Sequence, residues 1–144
     1  RKVSKICLKM SNSFQNIWGR VKIGKRTKIA SFVDIGNGVE IGDNCKIQSF
    51  VSIPSGWKIG NNVFIGPHVG FANHRNPKLP RDWSNWEIEK GEVKDGVVIG
   101  MGAMILPCVI GEGSVIGAGA VVTKNVPNNE VWIGIPAKCQ RKKE

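Results

Sequence analysis

From Ile17 onward, isoleucine returns at every sixth position: Ile17, Ile23, Ile29, Ile35, Ile41, Ile47, Ile53, Ile59 and Ile65, and the next step lands on Phe71. Four residues after each isoleucine comes a second row, Val21, Thr27, Val33, Val39, Cys45, Val51, Trp57, Val63 and Val69, nearly all small or β-branched. Glycine follows the isoleucine at 24, 36, 42, 60 and 66. An α-helix cannot use this period. At about 100° per residue, six residues turn the chain by about 600°, so an apolar stripe would drift round the cylinder. A flat strand has period two, which divides six, but strands of this length do not run through turn residues every six positions. A coil with three short flat faces meets both demands. Each hexapeptide makes one face and one corner, and β-branched isoleucine suits a buried parallel strand. Three hexapeptides then close one turn. Ile17, Ile35 and Ile53 are expected to stack as one ladder, Ile23, Ile41 and Ile59 as a second, and Ile29, Ile47 and Ile65 as a third, at about 4.8 Å, one strand spacing.

The period stops at Phe71 and is taken up again at Val97-Val98-Ile99-Gly100. Between them lie Ala72 to Gly96, with Pro77, Pro80, Trp83, Trp86 and mixed charge. A long insertion in a regular solenoid is expected to be a functional loop, the alternative being a decorative excursion. The second block steps through Ile99, Ile105, Ile110, Ile116 and Val122, and its group from Ile105 to Val109 has five residues. Register has to be absorbed there by a tightened corner. The whole reads as one domain: an N-terminal segment (1–16), a first coil block (17–71), an extruded loop expected to carry the function (72–96), a second block (97–127) and a tail (128–144), ending in a short helix or irregular chain.

The formal net charge is +10, with lysine and arginine spread from Lys2 to Lys143. A basic surface attracts nucleic acid, anionic membranes or phosphorylated small molecules. No nucleic-acid-binding motif accompanies the charge, so no nucleic acid is expected; the plain reading is a solvated surface, and the functional one is attraction of a small anionic substrate. Cysteines stand at 7, 45, 108 and 139 without a C-x-x-C pair, which supports neither a zinc ribbon nor a thioredoxin-like site and fits a reducing cytosol. No apolar run suits a membrane span or a signal peptide, so a cytoplasmic protein without membrane insertion is expected.

The in-register isoleucines, the glycines beside them and the closing segment Gly134-Ile135-Pro136-Ala137-Lys138 resemble the left-handed β-helix acyltransferases with hexapeptide repeats, over about Ile17 to Arg141. The resemblance implies an all-β, left-handed parallel β-helix, a handedness opposite to the usual crossover. It implies acetyl-CoA as acyl donor and no resident metal. In that family CoA runs along the C-terminal coils, here marked by Gly102, Ala103, Gly117, Ala118 and Ala120, while Lys124, Lys138 and Arg141 lie where its phosphates and adenine come. The plainer reading is that small residues make tight corners and the bases are solvated. The family also places its active site between neighbouring subunits, which implies a homotrimer.

The stretch Gly66-Pro67-His68-Val69-Gly70-Phe71-Ala72-Asn73-His74-Arg75-Asn76-Pro77-Lys78 is similar to Gly-Pro-x-x-x-Phe-Thr-Asn-x-x-x-Pro-Arg of N-acetyltransferases acting on nucleotide-linked amino sugars. Ala72 departs from the threonine of that pattern and Lys78 from the arginine. Asn73 matches the asparagine near the amine. Acyl transfer also needs the nucleophile positioned and its proton removed. The chain's two histidines, His68 and His74, both stand at the loop entrance, and an imidazole can take a proton at neutral pH. His74 is the first candidate for a general base and His68 the second, beside the alternative that an already neutral amine attacks without a protein base. Asp82, Glu87, Glu89, Glu92 and Asp95 are candidates to orient a histidine. Trp83 and Trp86 offer flat faces to a base or sugar ring. The rival readings are an O-acetyltransferase on a sugar or antibiotic hydroxyl, a non-enzymatic solenoid, and a carbonic anhydrase of the same coil, for which two histidines fall short of a three-histidine zinc set.

Overall fold

In the computed structural model, residues 14–78 and 86–144 are described. Among the described residues, seventeen short strands wind into a left-handed parallel β-helix, an eighteenth pairs antiparallel at its end, and no helix occurs. The first face stacks β1 (Asn16–Ile17), β4 (Asp34–Ile35), β7 (Ser52–Ile53), β10 (Gly70–Phe71), β13 (Met104–Ile105) and β16 (Val121–Val122). The second stacks β2 (Lys22–Ile23), β5 (Glu40–Ile41), β8 (Trp57–Ile59), β11 (Gly91–Val93) and β14 (Val109–Ile110). The third stacks β3 (Lys28–Ile29), β6 (Lys46–Ile47), β9 (Phe64–Ile65), β12 (Val98–Ile99), β15 (Val115–Ile116), β17 (Glu130–Ile133) and β18 (Lys138–Lys142).

The three isoleucine ladders form as expected. Ile17 pairs with Ile35 and Ile35 with Ile53. Ile23, Ile41 and Ile59 follow one another on the second face, and Ile29, Ile47 and Ile65 on the third. The isoleucines and the second row point inward and are buried from Val33 to Val69, while Ile17, Val21, Ile23 and Ile29 of the first coil are partly covered. Stacking like on like works because a parallel ladder sets identical side chains one strand spacing apart.

The coil resumes earlier than the expected loop boundary at residue 96. β11 sits in the second face between β8 and β14, with Glu92 opposite Lys58 and Val93 opposite Ile59. Val93 stands six residues before Ile99, so the period does reach it. The pattern is hidden by Gly91, which occupies a place in the second inward row that is mostly valine elsewhere. The reason lies one coil below. The Trp57 indole fills the interior there, and a Cβ on Gly91 would come within 2.4 Å of it. Trp57 also meets Phe71 edge to face at 4.7 Å and donates its indole N–H to the Ala72 carbonyl at 2.8 Å. One side chain thus packs at both the exit and the return of the excursion.

The five-residue group closes with three corner residues, Leu106-Pro107-Cys108, and Cys108 takes the inward place. The tail forms no helix. β18 turns back antiparallel on β17, with Ile133 opposite Lys138 and a register shift between Val131 and Trp132.

The edge joining the third face to the first carries exposed rings. Phe14, Phe32, Phe50 and His68 stack at 5.9, 5.2 and 4.8 Å with interplanar angles of 15°, 8° and 11°. Phe32, Phe50 and His68 hold φ near +60°, a region that bulky L-residues rarely enter. Higher on this edge the same turn position is taken by Gly102 and Gly119.

The tight fit at the excursion root makes a testable pair. Gly91→Ala should destabilise the fold by about 1–3 kcal/mol, the usual cost of overpacking. Adding Trp57→Leu to Gly91→Ala should cost less than the sum of the two single changes, by more than about 0.5 kcal/mol. Denaturant unfolding of the four proteins reads the coupling, and strict additivity would contradict the contact.

Candidate active site

Asn73, His74 and Arg75 follow β10 after Ala72, at the edge joining the first face to the second. The returning segment 86–90 lies alongside. Glu89 N–H donates to the Asn73 carbonyl at 2.9 Å, and Gly91 N–H to the Gly56 carbonyl at 3.1 Å. The Asn73 amide is oriented by its Nδ2, which donates to the Ser55 carbonyl at 3.1 Å. That leaves its Oδ1 facing His74 Nδ1 at 2.8 Å. The other ring nitrogen, Nε2, lies 2.5 Å from the Glu87 carbonyl. Trp86 meets the imidazole edge-on at 4.3 Å.

Both His74 nitrogens therefore face oxygen acceptors. A neutral imidazole carries one N–H and satisfies one of them. To take a proton from a substrate, the ring has to release one contact. The expected carboxylate partners do not reach it among the described residues. Glu87 offers its backbone, Glu89 binds Arg75, Glu92 pairs with Lys94 at 2.8 Å, and Asp95 accepts from Asn61 N–H. Asp82 and Trp83 lie outside the described residues.

His68 belongs to a different edge, exposed on top of the Phe50 ring. That edge also carries most of the residues expected to meet CoA. Gly102 and Gly119 turn outward, and a Cβ on either would meet nothing within 4 Å. Ala118 is exposed and Gly117 half-buried, with Ile133 of the next coil 2.7 Å from where its Cβ would be. Ala103 and Ala120 are fully buried, so their methyl groups belong to the core and only their backbone can approach a ligand. Lys124 is exposed with its ammonium 5.6 Å above the Trp132 ring, and Lys138 and Arg141 are exposed on β18. Trp132 in turn donates to the buried Glu130 carboxylate at 2.7 Å.

Two residues escaped the sequence reading. Arg75 donates from its backbone to Glu89 Oε1 at 2.7 Å, and its guanidinium reaches the Thr123 carbonyl at 2.6 Å and the Pro107 carbonyl. Trp57 was visible only as a large residue in a row of small ones.

These features sit on a fold whose kin are known. Residues 20–55, 41–73 and 91–124, more than half of the chain, match the family described as bacterial transferase hexapeptide (six repeats), and the chain belongs to it. A Schizosaccharomyces pombe protein named as an acetyltransferase is 52% identical over 86 residues, covering 57% of this chain and 41% of its own length. The galactoside O-acetyltransferase of Lactococcus lactis is 39% identical over 90 residues, covering 56% and 43%. The matched stretch thus spans less than half of either relative. The perosamine N-acetyltransferase of Caulobacter crescentus, solved as a point mutant with CoA and GDP-perosamine, superposes with a TM-score of 0.74 at 22% identity, covering 90% of this chain and 58% of that one. At that identity the likeness is one of fold.

Burial pushes the Cys108 thiol from 9.0 up to about 11, with Arg75 pulling the other way. The buried form is the neutral one. Its contribution to stability is therefore complete below about pH 9 and is lost as pH rises through about 11. Over that interval the melting temperature should fall more steeply for the native chain than for Cys108→Ala. Parallel curves would show that this thiol does not ionise with unfolding.

Proposed function

We propose that the chain is an acetyl-CoA-dependent acetyltransferase acting on the amine of a nucleotide-linked amino sugar. The observation that carries this reading is the Asn73–His74 pair, held between the Ser55 and Glu87 carbonyls on a hexapeptide coil. The similarity of residues 66–78 to the amino-sugar N-acetyltransferases supports it. So does the fold shared with an enzyme crystallised with CoA and a nucleotide amino sugar. Net charge of +10 suits two anionic substrates meeting in one cleft.

In this mechanism the neutral amine attacks the thioester carbon, a C–N bond forms and the C–S bond breaks. Asn73 Oδ1 accepts a hydrogen bond from the amine and aims its lone pair. His74, once it lets go of one carbonyl, takes the amine proton and returns it to the departing thiolate. His68 is the second candidate for that proton. Gly102, Gly117, Ala118 and the backbone of Ala103 and Ala120 flank the pantetheine arm, with Lys124, Lys138 and Arg141 toward the phosphates.

A homotrimer is part of the reading. Asn73 and His74 stand on one edge of the prism, while His68, Gly102 and Gly119 stand on another, with the first face between them. A single chain cannot bring these halves together, whereas cyclic packing sets one copy's edge against its neighbour's. The exposed Phe14–Phe32–Phe50 stack runs along the second edge and offers apolar surface for such packing. A monomer mass in light scattering at micromolar concentration contradicts the trimer. A cytoplasmic setting fits Cys45, Cys108 and Cys139, all free thiols.

The second reading is O-acetylation, favoured by the similarity to the galactoside O-acetyltransferase. Acceptor competition decides between them. A nucleotide-linked amino sugar should be acetylated much faster than the same sugar without its nucleotide, because remote contacts hold the reacting amine in place. Equal rates, or faster acetylation of a plain hydroxyl sugar, would move the assignment to the O-acetyltransferase. His74→Ala should slow turnover about 10²–10⁴-fold at neutral pH, and less at high pH where free amine accumulates.

A further inference from the structure

We propose that Arg75 is a positioning residue. Its guanidinium clamps the root of the excursion to the shortened corner of the coil above, and so holds Asn73 and His74 in place. The effect on catalysis rests on the acetyltransferase reading given above; the clamp itself does not.

The contacts span three levels of the prism. Arg75 follows β10. Nη2 donates to the Pro107 carbonyl after β13, and Nη1 to the Thr123 carbonyl after β16 at 2.6 Å. Nε faces Glu89 Oε2 at 3.4 Å, and the Arg75 backbone N–H donates to Glu89 Oε1 at 2.7 Å, which ties in the returning segment. An ion pair this exposed contributes little by itself. The two carbonyls are what give the arrangement its geometry. They belong to successive coils, and a planar fork with fixed donor directions reaches both where a lysine ammonium would meet them as a point charge.

The five-residue group explains why a carbonyl is there to be reached. Between β13 and β14 the corner is Leu106-Pro107-Cys108, one residue shorter than the four-residue corner Gly36-Asn37-Gly38-Val39 three coils below on the same edge. Proline has no N–H, so the Pro107 end of this corner presents an acceptor only. A shortened corner draws the chain inward, Pro107 and Cys108 are both buried, and the arginine fork is bonded to the carbonyl next to Cys108. The missing residue and Arg75 are two halves of one device. Since Asn73 and His74 are the two residues immediately before the fork, its hold on the coil transmits directly to them.

Cys108 reports the clamp without any catalysis. In the native protein, the rate of N-ethylmaleimide addition at Cys108, resolved by peptide mass spectrometry, is compared with that at Cys45, which is also buried. Arg75→Lys and Arg75→Gln should raise Cys108 labelling about tenfold or more, as expected for easier local opening, and leave Cys45 unchanged. The same variants should lower kcat by about 10²-fold, the scale of a small misplacement of reacting groups, with KM for acetyl-CoA nearly constant. Unchanged Cys108 labelling in both variants overturns the clamp. Raised labelling with native kcat overturns the positioning role. A native protein inactive on every acceptor overturns the acetyltransferase reading, while the labelling arm still decides the clamp.

Discussion

Everything in this molecule depends on one register constraint. In a parallel coil each strand lies over the strand three hexapeptides earlier, so an inward side chain meets its own kind at one strand spacing. Isoleucine satisfies the constraint because its branched β-carbon restricts rotation and stacks without gaps. A slip of one residue would turn every inward side chain to solvent. Ile35 over Ile17 and Ile53 over Ile35 are the simplest case. Departures from the period are consequently costly, and each marks a place where the chain does something other than stack.

Two departures define the candidate site. At the first, the coil opens after Phe71 and closes again at Gly91, and Trp57 packs at both ends while Gly91 leaves it room. At the second, a hexapeptide loses a residue in the corner that contains Cys108, and Arg75 bridges the shortened corner to the excursion. Between these two irregularities Asn73 and His74 receive fixed partners from backbone carbonyls. A rigid scaffold with one interrupted edge thus places polar side chains that the regular coil has no means of placing.

The fold was legible to the residue over Ile17–Phe71, because a period of six with β-branched inward positions has no helical or flat-sheet solution. The return at Gly91 was not, because a glycine in an inward row reads as a break unless the indole that fills its space is known. The antiparallel β18 was not either, since Lys138-Cys139-Gln140-Arg141-Lys142 is exposed throughout and carries no burial pattern. In the site, the histidines and Asn73 stood out by residue type and resemblance. The groups that hold Asn73, His74 and Arg75 did not, because Ser55, Glu87, Pro107 and Thr123 act through main-chain carbonyls, which every residue possesses. Arg75 looked like one cation among 21 lysines and arginines, and only its three-dimensional neighbours set it apart.

The central claim is that the bare upper edge, with Gly102 and Gly119 outward and Ala118 exposed, receives CoA. Thermal unfolding with and without CoA tests it most directly. A ligand that binds only the native state adds about 2.7 kcal/mol at one hundred times its dissociation constant. Melting temperature should rise clearly with CoA and acetyl-CoA, and Ala118→Trp should remove most of that rise while leaving the coil folded. An unchanged melting temperature at millimolar CoA would contradict it.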